Sequence, residues 1–311
     1  MTRIHLDTDL GSDTDDLCAL AMILGWPGAE LVGVTTSTDP GGRRAGFVAY
    51  ALGLAGRGDV PFAAGADGSI GGLFEPLAFP DYWPEPIAPC PSPAGAALEL
   101  LESNARTGAV IVAVGPYTNL AMLEAARPGL LASAGVVVMG GHHTTPRDGL
   151  PSWGMRDDFN VQQDAVAASI VFERCDPIVV PLAVSLEVCL RGGQLDALRD
   201  AGAFGALIAD QAVRHARDNG RNRLPASFPE LPNDLLNFQY DPLACAVALG
   251  WDGVTVEPVV CSFEREEDGL LRMERREGGG ARLRTAVAVD AERFERRWLE
   301  AVCTASARRS S

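Results

Sequence analysis

The front half of the chain alternates short apolar runs with segments of helical spacing. Runs such as 31–36, 109–114 and 136–139 are rich in Val, and none alternates apolar with polar residues. Strands of this kind are covered on both faces, as in parallel sheets. The helical segments between them supply the crossovers that parallel strands need. The pattern therefore predicts an α/β fold, with a mostly parallel mixed central sheet flanked by helices.

The chain of 311 residues contains no internal repeat and no low-complexity linker, so a single domain over 1–311 is predicted. Two long stretches with loop composition, 65–93 and 219–238, break the strand–helix alternation. Long loops in compact domains are often functional. Both stretches are therefore predicted to be loops of an active site.

Charge and composition exclude several partners. The net charge is −15 and the chain has no lysine, so no nucleic-acid partner is expected. The apolar runs are too short to span a bilayer, so no membrane partner is expected either. An apolar strand and an acidic cluster begin within seven residues, which leaves no room for a signal peptide and favours a cytoplasmic protein. The seven cysteines form no CxxC pair and are predicted to be reduced core thiols.

An acidic cluster directly follows the first predicted strand. Its five members, within ten residues, are Asp7, Asp9, Asp13, Asp15 and Asp16. Ligands bind at the carboxyl ends of parallel strands. Helix capping and a solvated loop would account for one or two aspartates, but five at a buried strand end would repel one another without a cation. Because carboxylates are ligands for hard cations, the cluster predicts a Ca²⁺ or Mg²⁺ site.

Two other acidic motifs fit poorly. An EF-hand loop needs glycine at its sixth position and glutamate at its twelfth, and no starting point in this segment provides both. A phosphatase of the haloacid dehalogenase type would use Asp7 and Asp9 as its DxD pair. Gly11 then stands where threonine or valine is expected, and the phosphate-neutralising lysine is missing.

The segment DTDLGSDTDD at 7–16 resembles the signature of the nucleoside hydrolases, in the form with two extra residues before the paired aspartates. Five further segments are similar to family motifs in the same order: 33–36, 115–121, 138–141, 158–160 and 241–244. The chain is identified as similar to the inosine- and uridine-preferring nucleoside N-ribohydrolases. This resemblance implies a single α/β domain, a role in purine or pyrimidine salvage, and a homodimer or homotetramer.

The resemblance also implies the chemistry. The N-glycosidic bond of a ribonucleoside is hydrolysed to free base and ribose through an oxocarbenium-like transition state. The cofactor is Ca²⁺, held by the carboxylates of Asp9, Asp16 and Asp241 and by the backbone carbonyl of Thr118. Asp9 also acts as the general base on water.

The substrate contacts follow from the same motifs. Asp15 is expected to bind the ribose 2′-hydroxyl, and Asp158 and Asn160 the other sugar hydroxyls. The remaining positions expected to contact substrate are Asp39, Met139, His142 and, by stacking on the base, Trp83.

Three positions depart from the family pattern. Asp158 stands in place of a glutamate, Asp39 in place of a ribose-binding asparagine, and Tyr240 in place of the histidine that protonates the leaving base in many relatives. Tyr240 is predicted to be catalytic, either donating a proton or stacking on the base. These departures leave open a non-catalytic or altered-substrate protein that binds a ribosyl metabolite. Asp13 is interpreted as either loop or ligand, and His215 as a structural or surface residue.

Overall fold

The computed structural model describes residues 1–71, 79–80 and 82–307. A mixed sheet with the strand order β10-β9-β11-β6-β5-β4-β1-β2-β3 forms its centre, and β7 and β8 pair in a small second sheet. The strands are β1 (Thr2–Thr8), β2 (Ala29–Thr36), β3 (Phe62–Ala64), β4 (Val110–Ala113), β5 (Val136–Met139), β6 (Ile178–Val180), β7 (Cys189–Arg191), β8 (Leu235–Phe238), β9 (Val254–Arg265), β10 (Leu271–Arg275) and β11 (Ala281–Val289).

Helices cover both faces of the sheet. They are α1 (Asp15–Gly25), α2 (Arg43–Leu54), α3 (Ala96–Arg106), α4 (Thr118–Ala126), α5 (Leu130–Ala134), α6 (Phe159–Gln163), α7 (Ala165–Arg174), α8 (Leu182–Ser185), α9 (Leu195–Asp200), α10 (Ala203–Asp218), α11 (Tyr240–Ala248) and α12 (Ala291–Ala307). Two buried apolar clusters result, one between the sheet and helices that include α1, α11 and α12, the other between the sheet and helices that include α3, α4 and α7.

The sheet is parallel from β3 through β11 and becomes antiparallel only at β9 and β10. The chain moves from β1 outwards to β2 and β3, then returns to the other side of β1 with β4. Such a reversal of strand order opens a crevice at the carboxyl ends of the two central strands. The predicted α/β fold is confirmed, and the crevice lies where the acidic segment leaves β1.

Helix α1 is held from outside by α12. Trp298 is fully buried and donates its indole N–H to the carbonyl oxygen of Cys18, 3.3 Å away. Gly25 allows the two helices to approach, because a Cβ there would lie 1.7 Å from the carbonyl oxygen of Ala301. The α12 packing therefore fixes the helix whose first residues are Asp15 and Asp16.

The two predicted loops differ in structure. The described residues of 65–93 contain no helix or strand. The stretch 219–238 contains a short 3-10 helix, Arg221–Ala226, and strand β8, which pairs with β7. No helix in the described part of the chain is long and apolar enough to cross a membrane.

Candidate active site

The carboxyl end of β1 places two aspartates at different depths. Asp7 is the last but one residue of β1 and has no exposed surface, whereas Asp9 lies just beyond the strand and lines the crevice. Gly115, after β4, comes so close that a Cβ there would lie 2.8 Å from the backbone nitrogen of Asp9. The tight approach of the two central strand ends therefore fixes where Asp9 stands.

Two helix N-termini bring further carboxylates to the same place. Asp15 and Asp16 form the first turn of α1, and Asp241 lies in the first turn of α11. Helix N-termini favour negative charge. One carboxylate oxygen from each of these three residues lies within 4.8 Å of the others, and all three side chains are buried. The fold thus converges carboxylates from distant parts of the chain on one point.

The carboxylates of this cluster are strongly perturbed. Burial, and then the negative charge of their neighbours, raise the pKa values of Asp15, Asp16 and Asp241 well above the usual range. Burial also raises the pKa of Asp9, and the positive charge of Arg44 opposes that shift. Groups whose charged forms are this unfavourable without a counter-ion are typical of a functional site.

Arg44 is an unusual neighbour for the cluster. Its guanidinium is 1 % exposed, lies 3.7 Å from the Asp9 carboxylate, and donates through Nε to the Thr38 carbonyl oxygen at 3.0 Å. One fixed positive charge cannot neutralise four carboxylates. The oxygen-only donor set and the surplus of negative charge fit a hard divalent cation.

A cavity of about 610 Å³ opens above the cluster. Its lining includes eight of the predicted site residues: Asp9, Asp15, Asp16, Met139, Asp158, Asn160, Tyr240 and Asp241. The convergence of these side chains in one cavity is what the motif spacing could not show.

Asp158 and Asn160 form one wall of the cavity. The Asp158 carboxylate accepts the backbone N–H of Gly141 at 2.6 Å, and burial raises its pKa to about 6. Asn160 donates through Nδ2 to the carbonyl oxygens of Val114 at 2.8 Å and Met139 at 3.2 Å. Because these bonds use the amide N–H groups, the Asn160 oxygen stays available as an acceptor for a hydroxyl group.

Four predicted site residues lie elsewhere, and their proposed roles stay predictions. The Asp39 carboxylate is fully buried and caps α2, accepting the backbone N–H groups of Arg44 at 2.6 Å and Ala45 at 3.0 Å. Trp83 stacks on Phe47 with ring centroids 4.4 Å apart, inside the apolar core.

The remaining two are Thr118 and His142. Thr118 is buried at the start of α4 and donates its hydroxyl to Asp164 at 2.7 Å. His142 is half-buried, and its Nε2 lies 3.9 Å from the position a Cβ of Gly154 would take. Neither residue is among those that line the cavity.

The cavity also contains residues for which the sequence predicted no role. These additional lining residues include Ser12, Trp153, Asp157, Phe159, Asn219 and Arg221. Two others, Asp13 and His215, had been considered without a firm role. The Arg221 guanidinium lies over the Trp153 ring, 4.7 Å from its centroid. The available signal was position: Asn219 and Arg221 open the predicted loop 219–238.

Comparisons with known proteins identify the family of the chain. The family model described as inosine-uridine preferring nucleoside hydrolase matches residues 4–296. The pyrimidine-specific ribonucleoside hydrolase RihA of Salmonella paratyphi C is 32% identical over 215 residues, covering 64% of this chain and 66% of RihA. The alignment thus spans just under two thirds of that curated relative.

Solved structures show the same fold. The purine-preferring ribonucleoside hydrolase from Gardnerella vaginalis superposes with a TM-score of 0.78 at 22% identity, covering 98% of this chain and 99% of that one. The plant nucleoside hydrolase PpNRh1 also gives 0.78, at 20% identity, covering 97% and 98%. With the family model matching nearly the whole chain, the protein belongs to the inosine-uridine preferring nucleoside hydrolase family.

Proposed function

We propose that the protein hydrolyses the N-glycosidic bond of ribonucleosides to free base and ribose, using a divalent cation. The observation that carries this proposal is the buried group of Asp15, Asp16 and Asp241, within 4.8 Å of one another at the cavity floor. Family membership gives the reaction class, and the cavity of about 610 Å³ leaves room for a nucleoside above the carboxylates.

We propose Ca²⁺ as the cation. Its ligands would be the carboxylates of Asp9, Asp16 and Asp241 and the backbone carbonyl of Thr118, with Asp15 left to bind the ribose. Calcium accepts six to eight oxygen ligands in flexible geometry, whereas magnesium requires a near-ideal octahedron and retains several waters. A crowded, buried set of carboxylates from three separate elements suits the larger ion. When bound, the ion acidifies water and orients the sugar diol.

The protein's own side chains then act on the sugar and the water. Asp9 is buried at 6 % exposure, lines the cavity, and would accept the proton of the attacking water. As the C1′–N bond lengthens, positive charge develops on the ribose. The carboxylates of Asp15 and Asp158 face that charge and stabilise it.

The nucleobase would occupy the aromatic side of the cavity, where Trp153 and Tyr240 line the wall. Burial raises the pKa of the Tyr240 hydroxyl well above its usual range, so it stays protonated and able to donate a hydrogen bond. Phe238 packs behind Tyr240 with ring centroids 5.5 Å apart and limits how the ring can turn. A stacking ring with a donor at its edge suits a purine or a pyrimidine.

The test is a reducing-sugar assay on purified protein with purine and pyrimidine ribonucleosides, each with Ca²⁺, with Mg²⁺ and with chelator. We expect ribose release that disappears with chelator and returns with Ca²⁺. Asp9→Ala should fold, by circular dichroism, and release no ribose. Bound cation with no ribose released from any nucleoside would contradict the proposal.

The family resemblance also bears on cellular location and assembly. We propose a cytoplasmic homodimer or homotetramer, as the family resemblance implies. Light scattering coupled to size-exclusion chromatography would give the mass of the particle, and a monomer would contradict the assembly.

A further inference from the structure

A buried histidine faces the cavity without a hydrogen-bond partner for one of its nitrogens. His215, on α10, is 5 % exposed and lines the cavity. Its Nδ1 receives a hydrogen bond from the Asn219 amide at 3.2 Å. An amide N–H donates only to an unprotonated Nδ1, and in that tautomer the ring proton is on Nε2. No hydrogen bond to Nε2 forms within the described part of the chain.

Asp13 lies beside that free N–H group. One Asp13 oxygen, Oδ1, accepts the backbone N–H of Thr14 at 2.5 Å and the side-chain amide of Asn237 at 2.6 Å. The other, Oδ2, is 3.4 Å from His215 Nε2, too poorly aligned for a hydrogen bond. The turn before α1 thus places a fixed carboxylate against the imidazole, while the N–H group remains able to turn to a ligand.

The free N–H group of His215 would cost folding free energy if no ligand or water bound to it. A buried donor without an acceptor costs about 1–3 kcal/mol, so native structures rarely leave one unless a ligand or water completes it. The Tyr82 ring contacts His215 edge-on, with ring centroids 6.3 Å apart. Both Tyr82 and His215 line the cavity together with Tyr240. A hydrogen-bond acceptor on a flat heterocycle would satisfy the free N–H group.

We propose that His215 donates its Nε2–H to an acceptor atom of the departing nucleobase, and that Asp13 is a positioning residue that holds the imidazole. The inference rests on the proposed function. When the C1′–N bond breaks, its electron pair stays on the base nitrogen, the water oxygen bonds to C1′, and Asp9 takes the water proton. The released base anion then takes up a proton from solvent. The donor stabilises the negative charge that develops on the base, and Asp13 stabilises the polarised imidazole.

The proposed role of His215 compensates for the missing histidine at position 240. Tyr240 occupies the position where many relatives have a histidine next to the metal aspartate, so that imidazole is missing here. His215 returns an imidazole to the cavity from a different element, α10. Asp13 belongs to the two-residue extension of the acidic motif, so the extension supplies the carboxylate that lies against His215.

The experiment compares two leaving groups. The base of a ribonucleoside leaves as a poorly stabilised anion. By contrast, p-nitrophenyl β-D-ribofuranoside releases a phenolate whose charge spreads into the nitro group and needs no donor. For His215→Phe we expect kcat/KM for ribonucleosides to fall about 100-fold or more, the usual effect of losing one such donor. We expect kcat/KM for the p-nitrophenyl riboside to change by less than about threefold. Asp13→Asn should lower kcat/KM for ribonucleosides, relative to kcat/KM for the p-nitrophenyl riboside, by about tenfold.

Two further variants keep the result interpretable. His143→Phe removes another buried histidine, whose Nε2 lies 3.2 Å from the Thr285 hydroxyl, and should leave the ratio of the two substrates unchanged. His215→Gln retains a side-chain donor and should fall between wild type and His215→Phe; it also replaces His215→Phe if that variant does not fold.

The outcomes separate the two proposals. Equal losses for both substrates in the His215 variants would mean a structural role and would overturn the inference, as would no loss for either. Wild-type protein that cleaves neither substrate would overturn the proposed function itself.

Discussion

Two buried groups lie side by side: Asp7 with its hydrogen-bond donors, and the cluster of Asp9, Asp15, Asp16 and Asp241. Asp7 accepts hydrogen bonds from the Thr35 hydroxyl at 2.5 Å and the Asn119 amide at 2.8 Å, and His5 supports Thr35 from behind at 2.9 Å. Asp241, by contrast, faces the carboxylates of Asp15, Asp16 and Asp9. Protein donors reach Oδ2 of Asp7 and leave its Oδ1 without a partner among the described residues, whereas the second group faces other carboxylates and needs a ligand. The difference separates a structural carboxylate from a functional one.

Removing one carboxylate from the aspartate cluster should have the largest effect. Asp241→Asn should lower kcat/KM by about 10³-fold or more, since the cation's contribution is several kcal/mol. In chelator, the same variant should be more stable than wild type, because it removes one of several buried charges that repel each other. Steady-state kinetics and urea unfolding in chelator measure the two effects.

Asp210→Asn is the matched control. Asp210 is an exposed carboxylate on α10, 62% accessible, so neither quantity should change measurably. If Asp241→Asn loses stability in chelator, the repulsion argument is wrong.

Cation binding should stabilise the folded protein. At a free concentration of 100 times Kd the gain is about 2.7 kcal/mol. Thermal unfolding across a Ca²⁺ titration should therefore shift Tm upwards with concentration, and the shift should vanish in Asp241→Asn. A Tm independent of Ca²⁺ in the wild type would mean that the cluster holds no ion.

The pH dependence of stability should differ with and without cation. Burial raises the pKa of Asp7 to about 7 and those of Asp15 and Asp16 well above their usual range. A carboxyl whose folded pKa is raised destabilises the fold as pH rises from about 4 through that raised value. In chelator, stability should fall steeply between pH 5 and 8, by at most about 1.4 kcal/mol per pH unit for each group.

Saturating Ca²⁺ should flatten this decline, because the ion favours the charged forms of the cluster, and leave the contribution of Asp7. Urea unfolding at several pH values gives both curves. Identical slopes with and without Ca²⁺ would place the titrating groups outside the ion site.

The smallest effect concerns the first group. Thr35→Val removes a donor from Asp7 and a partner from His5 while keeping the volume. We expect a loss of about 1–3 kcal/mol, the cost of leaving a buried polar group unsatisfied. With saturating cation, kcat should change little. Thr304→Val, at an exposed position on α12, is the control and should change stability by less than about 0.5 kcal/mol.

The predicted fold is confirmed, and eight of the predicted site residues line one cavity, for identifiable reasons. Strands buried on both faces leave a clear apolar signal, and the acidic motif follows β1 directly, so Asp9, Asp15 and Asp16 were placed correctly at a strand end. Asp158, Asn160 and Asp241 were found only through family motifs. Nothing in local pattern separates Asp7, which takes hydrogen bonds from Thr35 and Asn119, from Asp9, which lines the cavity.

The parts that were not predicted depend on long-range contacts. His215 meets Asp13 across some 200 residues of chain, and a lone histidine on a helix carries no sign of such a partner. Asp39 occupies a ribose-binding position in the motif alignment, yet in the structure it caps α2, accepting from Arg44 and Ala45. Side-chain direction at a loop depends on the packing of neighbouring elements, which the spacing of motifs does not record.

The packing of α12 on α1 has a consequence for how the protein matures. The aspartates of α1 leave the ribosome long before Trp298, which bonds to Cys18 and lies 280 residues further along the chain. Contacts between such distant segments form late, because the intervening chain must first be ordered. A nascent chain would therefore carry its acidic motif without the support that shapes it until α12 has been synthesised, and would acquire ion-binding competence only after that.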